Sequence, residues 1–105
     1  MKYGLPDHTV NQICAVLAQY PQVERAVLYG SRAKGNFKPG SDIDLTLHGL
    51  DLTQKLCNSI AEALDDLLLP YSIDLSVFAK LHHPELEAHI QRVGMVFFER
   101  DGRDL

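Results

Sequence analysis

The sequence predicts an α/β (α+β) protein in which a small mixed β-sheet is flanked by helices. Helical and strand-like patterns alternate along the chain, starting with a helix. The strand-like segments are short, rich in β-branched and aromatic residues, and bounded by turn residues. The chain has 105 residues, which is room for one modest core, so we expect one domain over residues 1–105 with its helices against one side of the sheet.

The first two elements follow from their boundaries. A helix is expected to begin near Pro6 and Asp7, because proline suits the first helical position and an acid is favoured at the positive end of the helix dipole. Its apolar stripe ends before Tyr20-Pro21, where the proline stops the helix. The run RAVLY at Arg25–Tyr29 then predicts a strand.

The turn after this strand has the features of an anion site. Gly30 allows the sharp turn, and Ser31 begins a tight turn or short helix that offers backbone N–H groups and a hydroxyl to a phosphate. Arg32, Lys34 and Lys38 then bring three positive charges close together in an otherwise acidic chain. We expect Arg32 or Lys34 to be a secondary phosphate contact, while a solvated loop remains the alternative for Lys38.

The next segment alternates polar and apolar residues. On a strand, Asp42 and Asp44 project from one face while Ile43, Leu45 and Leu47 enter the core on the other. Two carboxylates at this spacing repel each other unless a cation lies between them. Hard oxygen ligands favour Mg²⁺ over a soft metal, so the pair predicts a magnesium site.

A third acid repeats the pattern, since Asp74 lies between Ile73 and Leu75 in a later strand-like segment. If the two strands are neighbours, Asp74 reaches the aspartate pair on the same face. There it serves as a metal ligand or takes a proton from an attacking hydroxyl.

These residues together resemble the polymerase-beta type nucleotidyltransferase superfamily, whose signature is Gly-Ser, about ten residues, Asp-x-Asp and a third aspartate on the next strand. The short chain is similar to its minimal nucleotidyltransferases. The resemblance implies the nucleotidyltransferase fold, contacts from Ser31 to the β and γ phosphates of ATP, magnesium bound by Asp42 and Asp44, and Asp74 as the third catalytic acid. Lys34 stands where many relatives have arginine, which keeps the positive charge.

The remaining elements are two helices and a strand. The longer helix is expected over Leu52–Leu69, with Asp51 as its cap and Leu67 and Leu68 on its buried side. Pro84 opens another helix, which Gly94 ends. The apolar run at residues 95–98 predicts a final edge strand.

Charge and hydropathy restrict the function. The net charge of −4 provides no basic field to gather long nucleic acid. No apolar leader follows Met1, and no run approaches the roughly 20 apolar residues of a membrane span, so we expect a cytoplasmic protein without membrane contact.

With this residue set the chain is expected to be an enzyme that transfers AMP from ATP to a hydroxyl. Because minimal nucleotidyltransferases are commonly partners of small helical HEPN proteins, the resemblance implies an antitoxin that adenylylates a tyrosine of a HEPN ribonuclease toxin. One alternative is a binding module that neutralises its partner by contact without catalysis. Another is nucleotidyl transfer to a small molecule or an RNA end. A homo-oligomer and a hetero-oligomer both stay open.

Overall fold

A computed structural model describes residues 1–100 as a four-stranded sheet with four helices. The prediction of a small mixed sheet flanked by helices is confirmed. The elements in chain order are α1 (Asp7–Ala18), β1 (Arg25–Tyr29), α2 (Ser31–Lys34), β2 (Ile43–His48), α3 (Gln54–Asp65), β3 (Ile73–Val77), α4 (Pro84–Val93) and β4 (Met95–Glu99).

The strands lie in the order β3-β2-β1-β4. β1 is antiparallel to both of its neighbours, β2 and β4. β2 and β3 are parallel, because α3 carries the chain back across the sheet between them. The two strands predicted to carry the acids are therefore neighbours in the sheet.

The two faces of the sheet have different helices packed against them. Ala26 and Leu28 of β1 enter the main core with α1 and α3, as do all three apolar residues of β2 named above. Val27 and Tyr29 point to the opposite face, where they pack against Ile90 of α4. The expectation of helices against one side is therefore wrong for α4. Successive strand residues alternate in direction, and the apolar side chains on the second face of β1 need a cover of their own.

Helix α3 is shorter than the sequence suggested. It begins at Gln54, because the Thr53 side chain accepts a hydrogen bond from the Leu56 backbone N–H at 3.0 Å, so Thr53 and not Asp51 is the cap. It ends at Asp65. Leu68 lies beyond it with a φ of 55° and is 88% exposed, whereas it was expected on the buried face.

The chain closes on β4, which pairs with β1 at the sheet edge as predicted. Its Phe97 is buried in the main core, and Phe98 packs partly against it. No helix within residues 1–100 combines the length and the apolar character needed to cross a bilayer. The last five residues of the predicted domain, 101–105, lie outside the described part of the chain.

Candidate functional site

The parallel pairing of β2 and β3 brings two of the predicted acids together. Asp44 and Asp74 are register partners, so their side chains leave the same face of the sheet from adjacent strands. Asp42 lies immediately before β2, and its side chain is exposed, as is that of Asp74. The opposite faces of these strands hold Ile43 and Leu45, which are completely buried and fix the direction in which the acids point.

The electrostatics of this face are those of like charges held close together. Partial burial raises the pKa of Asp44 above its ordinary value, and the carboxylates of Asp74 and Asp42 raise it further. Within residues 1–100, no group of three or more histidine, cysteine, aspartate or glutamate side chains is arranged so that it could hold a metal ion. An open set of carboxylates fits Mg²⁺, which usually completes its octahedron with water and substrate phosphates.

The Gly30-Ser31 turn lies directly against Asp44. Gly30 has φ 76° and ψ −155°, a backbone conformation that is essentially restricted to glycine. A Cβ atom at Gly30 would collide with the carboxylate of Asp44. The turn is therefore tight both because β1 ends there and because the Asp44 side chain occupies the adjacent space. Ser31, half-buried, is the first residue of α2.

Arg32 does not lie where the sequence analysis expected a phosphate contact. Its side chain is only 2% exposed. Four of its five N–H donors are taken by backbone carbonyls: Nε and Nη2 donate to Ser41 O at 3.1 and 2.9 Å, Nη1 to Tyr3 O at 2.9 Å, and Nη2 to Pro39 O at 3.2 Å. The guanidinium thus points into the protein and binds backbone carbonyls of the loop, which leaves one N–H donor without such a partner among residues 1–100.

Lys34 and Lys38 keep their charges on the surface. Both side chains are exposed. Lys34 ends α2, and Gly35 follows it with φ 89° in the left-handed conformation that closes the helix. Of the three cations predicted for this loop, two are therefore accessible to an anion.

Several residues of the site face were not singled out from the sequence. Tyr29 is the β1 register partner of Asp44 and shares its face, with the imidazole of His89 edge-on at 6.3 Å between ring centroids. Burial raises the pKa of the Tyr29 phenol, and the nearby acids Asp74 and Asp44 raise it as well. On β2 and β3, Ser76 Oγ donates to Thr46 Oγ1 at 3.0 Å. The period-two alternation of the strands places Tyr29, Thr46 and Ser76 on this face, so the sequence carried a signal for these three residues.

A cavity of about 240 Å³ opens on the same face, but at the other end of β1. Its walls include Arg25 and His48, which are register partners four residues along from Tyr29 and Asp44. Four residues of strand span about 13 Å. The cavity is therefore separate from the acids.

Comparison with known proteins gives a family and a fold. The family model "Polymerase beta, Nucleotidyltransferase" matches residues 11–103. A search among curated proteins returned no match.

Several solved structures with the same fold come from toxin–antitoxin complexes. A chain of a toxin–antitoxin complex with AMP-PNP superimposes with a TM-score of 0.71 at 22% identity, covering 88% of this chain and 74% of that one. A chain of the MntA–HepT complex gives 0.67 at 20% identity, with coverages of 94% and 77%. A complex of tri-AMPylated Shewanella oneidensis HEPN toxin with MNT antitoxin gives 0.66 at 20% identity, with coverages of 92% and 75%. At these identities the likeness concerns the fold.

Proposed function

Because the chain belongs to the polymerase beta nucleotidyltransferase family, we propose that it transfers AMP from ATP to a tyrosine hydroxyl of a partner HEPN ribonuclease toxin, and so acts as the antitoxin of the pair. The observation that carries the proposal is the register pairing of Asp44 with Asp74 on adjacent parallel strands. With Asp42 before the same strand and the glycine turn against Asp44, this face has the carboxylate set that nucleotidyl transfer requires.

The triphosphate is assigned to the Gly30-Ser31 turn. Ser31 follows the glycine at which an added Cβ would meet Asp44, so its hydroxyl and the first N–H groups of α2 begin beside the acid site. Such donors bind phosphate oxygens without adding a bulky side chain. Lys34 is exposed at the end of the same short helix and supplies the positive charge that Arg32, turned inward, does not.

Magnesium fits the open donor set, and Asp42, Asp44 and Asp74 would hold it together with phosphate oxygens. When bound, the ion withdraws charge from the triphosphate and neutralises the repulsion among the acids. The chain's own contribution is to hold the three carboxylates on one face. Ile43 and Leu45, completely buried on the opposite face of β2, fix the direction of Asp44, and the parallel register keeps it beside Asp74.

The transfer itself is a displacement at phosphorus. The tyrosine oxygen forms a bond to the α-phosphorus, the bond from that phosphorus to the bridging oxygen breaks, and pyrophosphate leaves with the electron pair. The phenolic proton passes to a carboxylate. We assign this role to Asp74, because it is the exposed acid on the edge strand β3, where an acceptor has access.

The choice of partner is supported by what similar structures contain. One is a toxin–antitoxin complex with AMP-PNP, and another pairs an AMPylated HEPN toxin with its MNT antitoxin. A nucleotide analogue and an AMPylated partner are the substrate and the product of the proposed reaction. We therefore assign ATP as the donor and a HEPN protein as the acceptor.

The experiment is a labelling assay in the host of origin. The tagged chain is recovered with its copurifying proteins and incubated with Mg²⁺ and ATP labelled at the α-phosphate. We expect label on a small copurifying protein, retained after digestion to a tyrosine-containing peptide. The same assay is run with Asp42→Asn and with Asp65→Asn, a matched loss of one exposed carboxylate on α3, away from the site.

Three outcomes are distinguishable. Label that disappears with Asp42→Asn and persists with Asp65→Asn supports the proposal. Label on RNA or on a small molecule refutes the protein acceptor but still supports nucleotidyl transfer by this chain. A stable partner complex that takes no label from any nucleotide, and that also forms with Asp42→Asn, refutes catalysis and makes the chain a binding module.

A further inference from the structure

We propose that Arg32 is a positioning residue for the acid site. Its side chain links the peptide bond before Asp42 to the N-terminal segment of the chain. The inference rests on the magnesium site of the proposed function, but not on the identity of the acceptor. It assigns to the catalytic assembly a segment, residues 2–5, that lies outside the part of the chain matched by the family model.

Two hydrogen bonds from Arg32 converge on Ser41. Its carbonyl oxygen receives two donors from Arg32, Nε at 3.1 Å and Nη2 at 2.9 Å. This carbonyl belongs to the peptide unit that links Ser41 to Asp42, so the two bonds restrain the direction of its C=O group. The preceding turn is closed by two further bonds, from Lys38 N–H to Ser41 Oγ at 2.8 Å and from Ser41 N–H to Lys38 O at 2.9 Å. Asp42 therefore leaves a rigid turn.

Two aromatic rings lie close to the Arg32 guanidinium. The Cζ of Arg32 lies 5.1 Å from the centroid of Phe37 and 5.1 Å from the centroid of Tyr71. Within residues 1–100, Arg32 forms no ion pair, so carbonyl dipoles and ring faces are what offset the cost of burying its charge. Tyr71 precedes β3 and lies three residues before Asp74. Arg32 thus contacts both segments that lead into acids.

The N-terminal segment also contacts Arg32. Lys2 and Leu5 form a small β-bridge, which presents the Tyr3 carbonyl to Arg32 Nη1 at 2.9 Å. Gly4, with φ 74°, is packed so closely that a Cβ atom there would collide with the Phe37 ring. Leu5 is completely buried in the main core and anchors the segment. A continuous set of contacts therefore connects the main core, through Tyr3 and Arg32, to Ser41.

A lysine cannot reproduce this arrangement. The three carbonyls of Tyr3, Pro39 and Ser41 require a planar fork with separated donors, whereas an ammonium group is a single point of charge. Arg32→Lys therefore keeps the charge and loses the geometry. Partners that orient metal ligands change metal affinity by about 10- to 100-fold when they are removed.

The test compares Arg32→Lys with Arg100→Lys in the full chain. Arg100 is a matched control, because its guanidinium also donates four hydrogen bonds to backbone carbonyls and lies 5.6 Å from a ring, that of Phe98. It sits at the opposite end of β1 from Gly30, since its N–H bonds to Glu24 O. Both variants should lose stability in EDTA, Arg100→Lys the less because Arg100 is half-buried and two of its bonds are 3.4 and 3.5 Å long, whereas only Arg32→Lys should lose metal affinity.

Two readouts are measured. Mn²⁺ binding is followed by the electron paramagnetic resonance signal of the free ion, and we expect it to weaken about tenfold or more in Arg32→Lys and to stay unchanged in Arg100→Lys. Hydrogen exchange without metal is followed at the Ser41 and Ile43 amides, which bond to Lys38 O and Ser72 O at 2.9 Å. Their protection should fall in Arg32→Lys alone.

The outcomes separate this inference from the proposed function. Equal Mn²⁺ affinity and equal protection in the two variants would overturn the positioning role. If the wild-type chain binds no Mn²⁺, the proposed magnesium site is refuted, and the exchange data alone decide whether Arg32 holds the Asp42 backbone. If Arg32→Lys does not fold, Phe37→Leu removes one ring and leaves the hydrogen bonds in place, and its Mn²⁺ affinity should fall about two- to fivefold.

Discussion

Gly30→Ala tests whether the turn and the acid site share one packing constraint. An alanine at this position meets two obstacles. Its backbone must keep φ 76° and ψ −155°, and its Cβ atom must displace the Asp44 carboxylate, which occupies the same space. The first obstacle belongs to the turn alone, while the second depends on the side chain at position 44, so the two can be separated experimentally.

The magnitudes follow from these two terms. Holding a residue with a side chain in this region of φ and ψ costs about 1–3 kcal/mol. Forcing an extra methyl group into occupied space costs about 1–3 kcal/mol more. Gly30→Ala should therefore lower the free energy of unfolding by about 2–6 kcal/mol in the wild-type background. In an Asp44→Ala background the carboxylate is gone, and the cost should fall to the backbone term of about 1–3 kcal/mol.

The assay is a double-mutant cycle measured by urea unfolding in EDTA, which keeps metal out of the comparison. Gly35→Ala is the matched control, because Gly35 has φ 89° but no atom within 4 Å of an added Cβ. Its cost should be the same in both backgrounds. If Gly30→Ala costs equally much with and without the Asp44 carboxylate, the proposed contact between turn and acid is refuted.

Two further predictions concern charge and backbone. Without metal, Asp44→Asn should raise stability by about 0.2–1 kcal/mol by relieving repulsion from Asp74, while it abolishes nucleotidyl transfer. Because the pKa of Asp44 is raised in the folded state, Asp44 stabilises the fold below its unfolded-state pKa, and this contribution is lost as the pH rises through the folded-state pKa. Urea unfolding at several pH values should therefore show a fall in the free energy of unfolding over this range in the wild type and not in Asp44→Asn. Leu68→Asn should leave stability unchanged or raise it by up to about 1 kcal/mol in the same unfolding assay, because Leu68 holds φ 55° while 88% exposed, and asparagine tolerates that backbone better. A loss of stability would mean that Leu68 makes contacts of its own.

The strands and the face that carries the acids could be predicted because the signal is local and repeats. Ile43, Leu45 and Leu47 are all completely buried, so the alternation in β2 fixed which way Asp44 points. The same pattern in β3 gave Asp74 the same direction. The prediction still needed the two strands to be neighbours, and the parallel register supplies that pairing.

The errors arose where local composition competes with contacts distant in sequence. The leucines after Asp65 continue the apolar character of α3, but the cap at Thr53 and the turn after Asp66 set the length of the helix. Similarly, α4 has an apolar stripe that fits either face of a sheet. Only the packing of Ile90 against Val27 and Tyr29 decides which face it covers.

Arg32 shows what composition cannot settle about a cluster of charges. In the sequence, Arg32 and Lys34 lie in the same predicted phosphate-binding motif, and both were candidates for a contact to the phosphate. On a helix, residues two apart point in directions about 200° apart, so only one of the pair can face a ligand while the other faces the protein. The carbonyls of Tyr3, Pro39 and Ser41 hold Arg32 inward, and that of Tyr3 lies 29 residues away in sequence. Lys34 is thereby left as the exposed cation of α2, so the charge nearest the proposed triphosphate site depends on a contact made by the N-terminal segment.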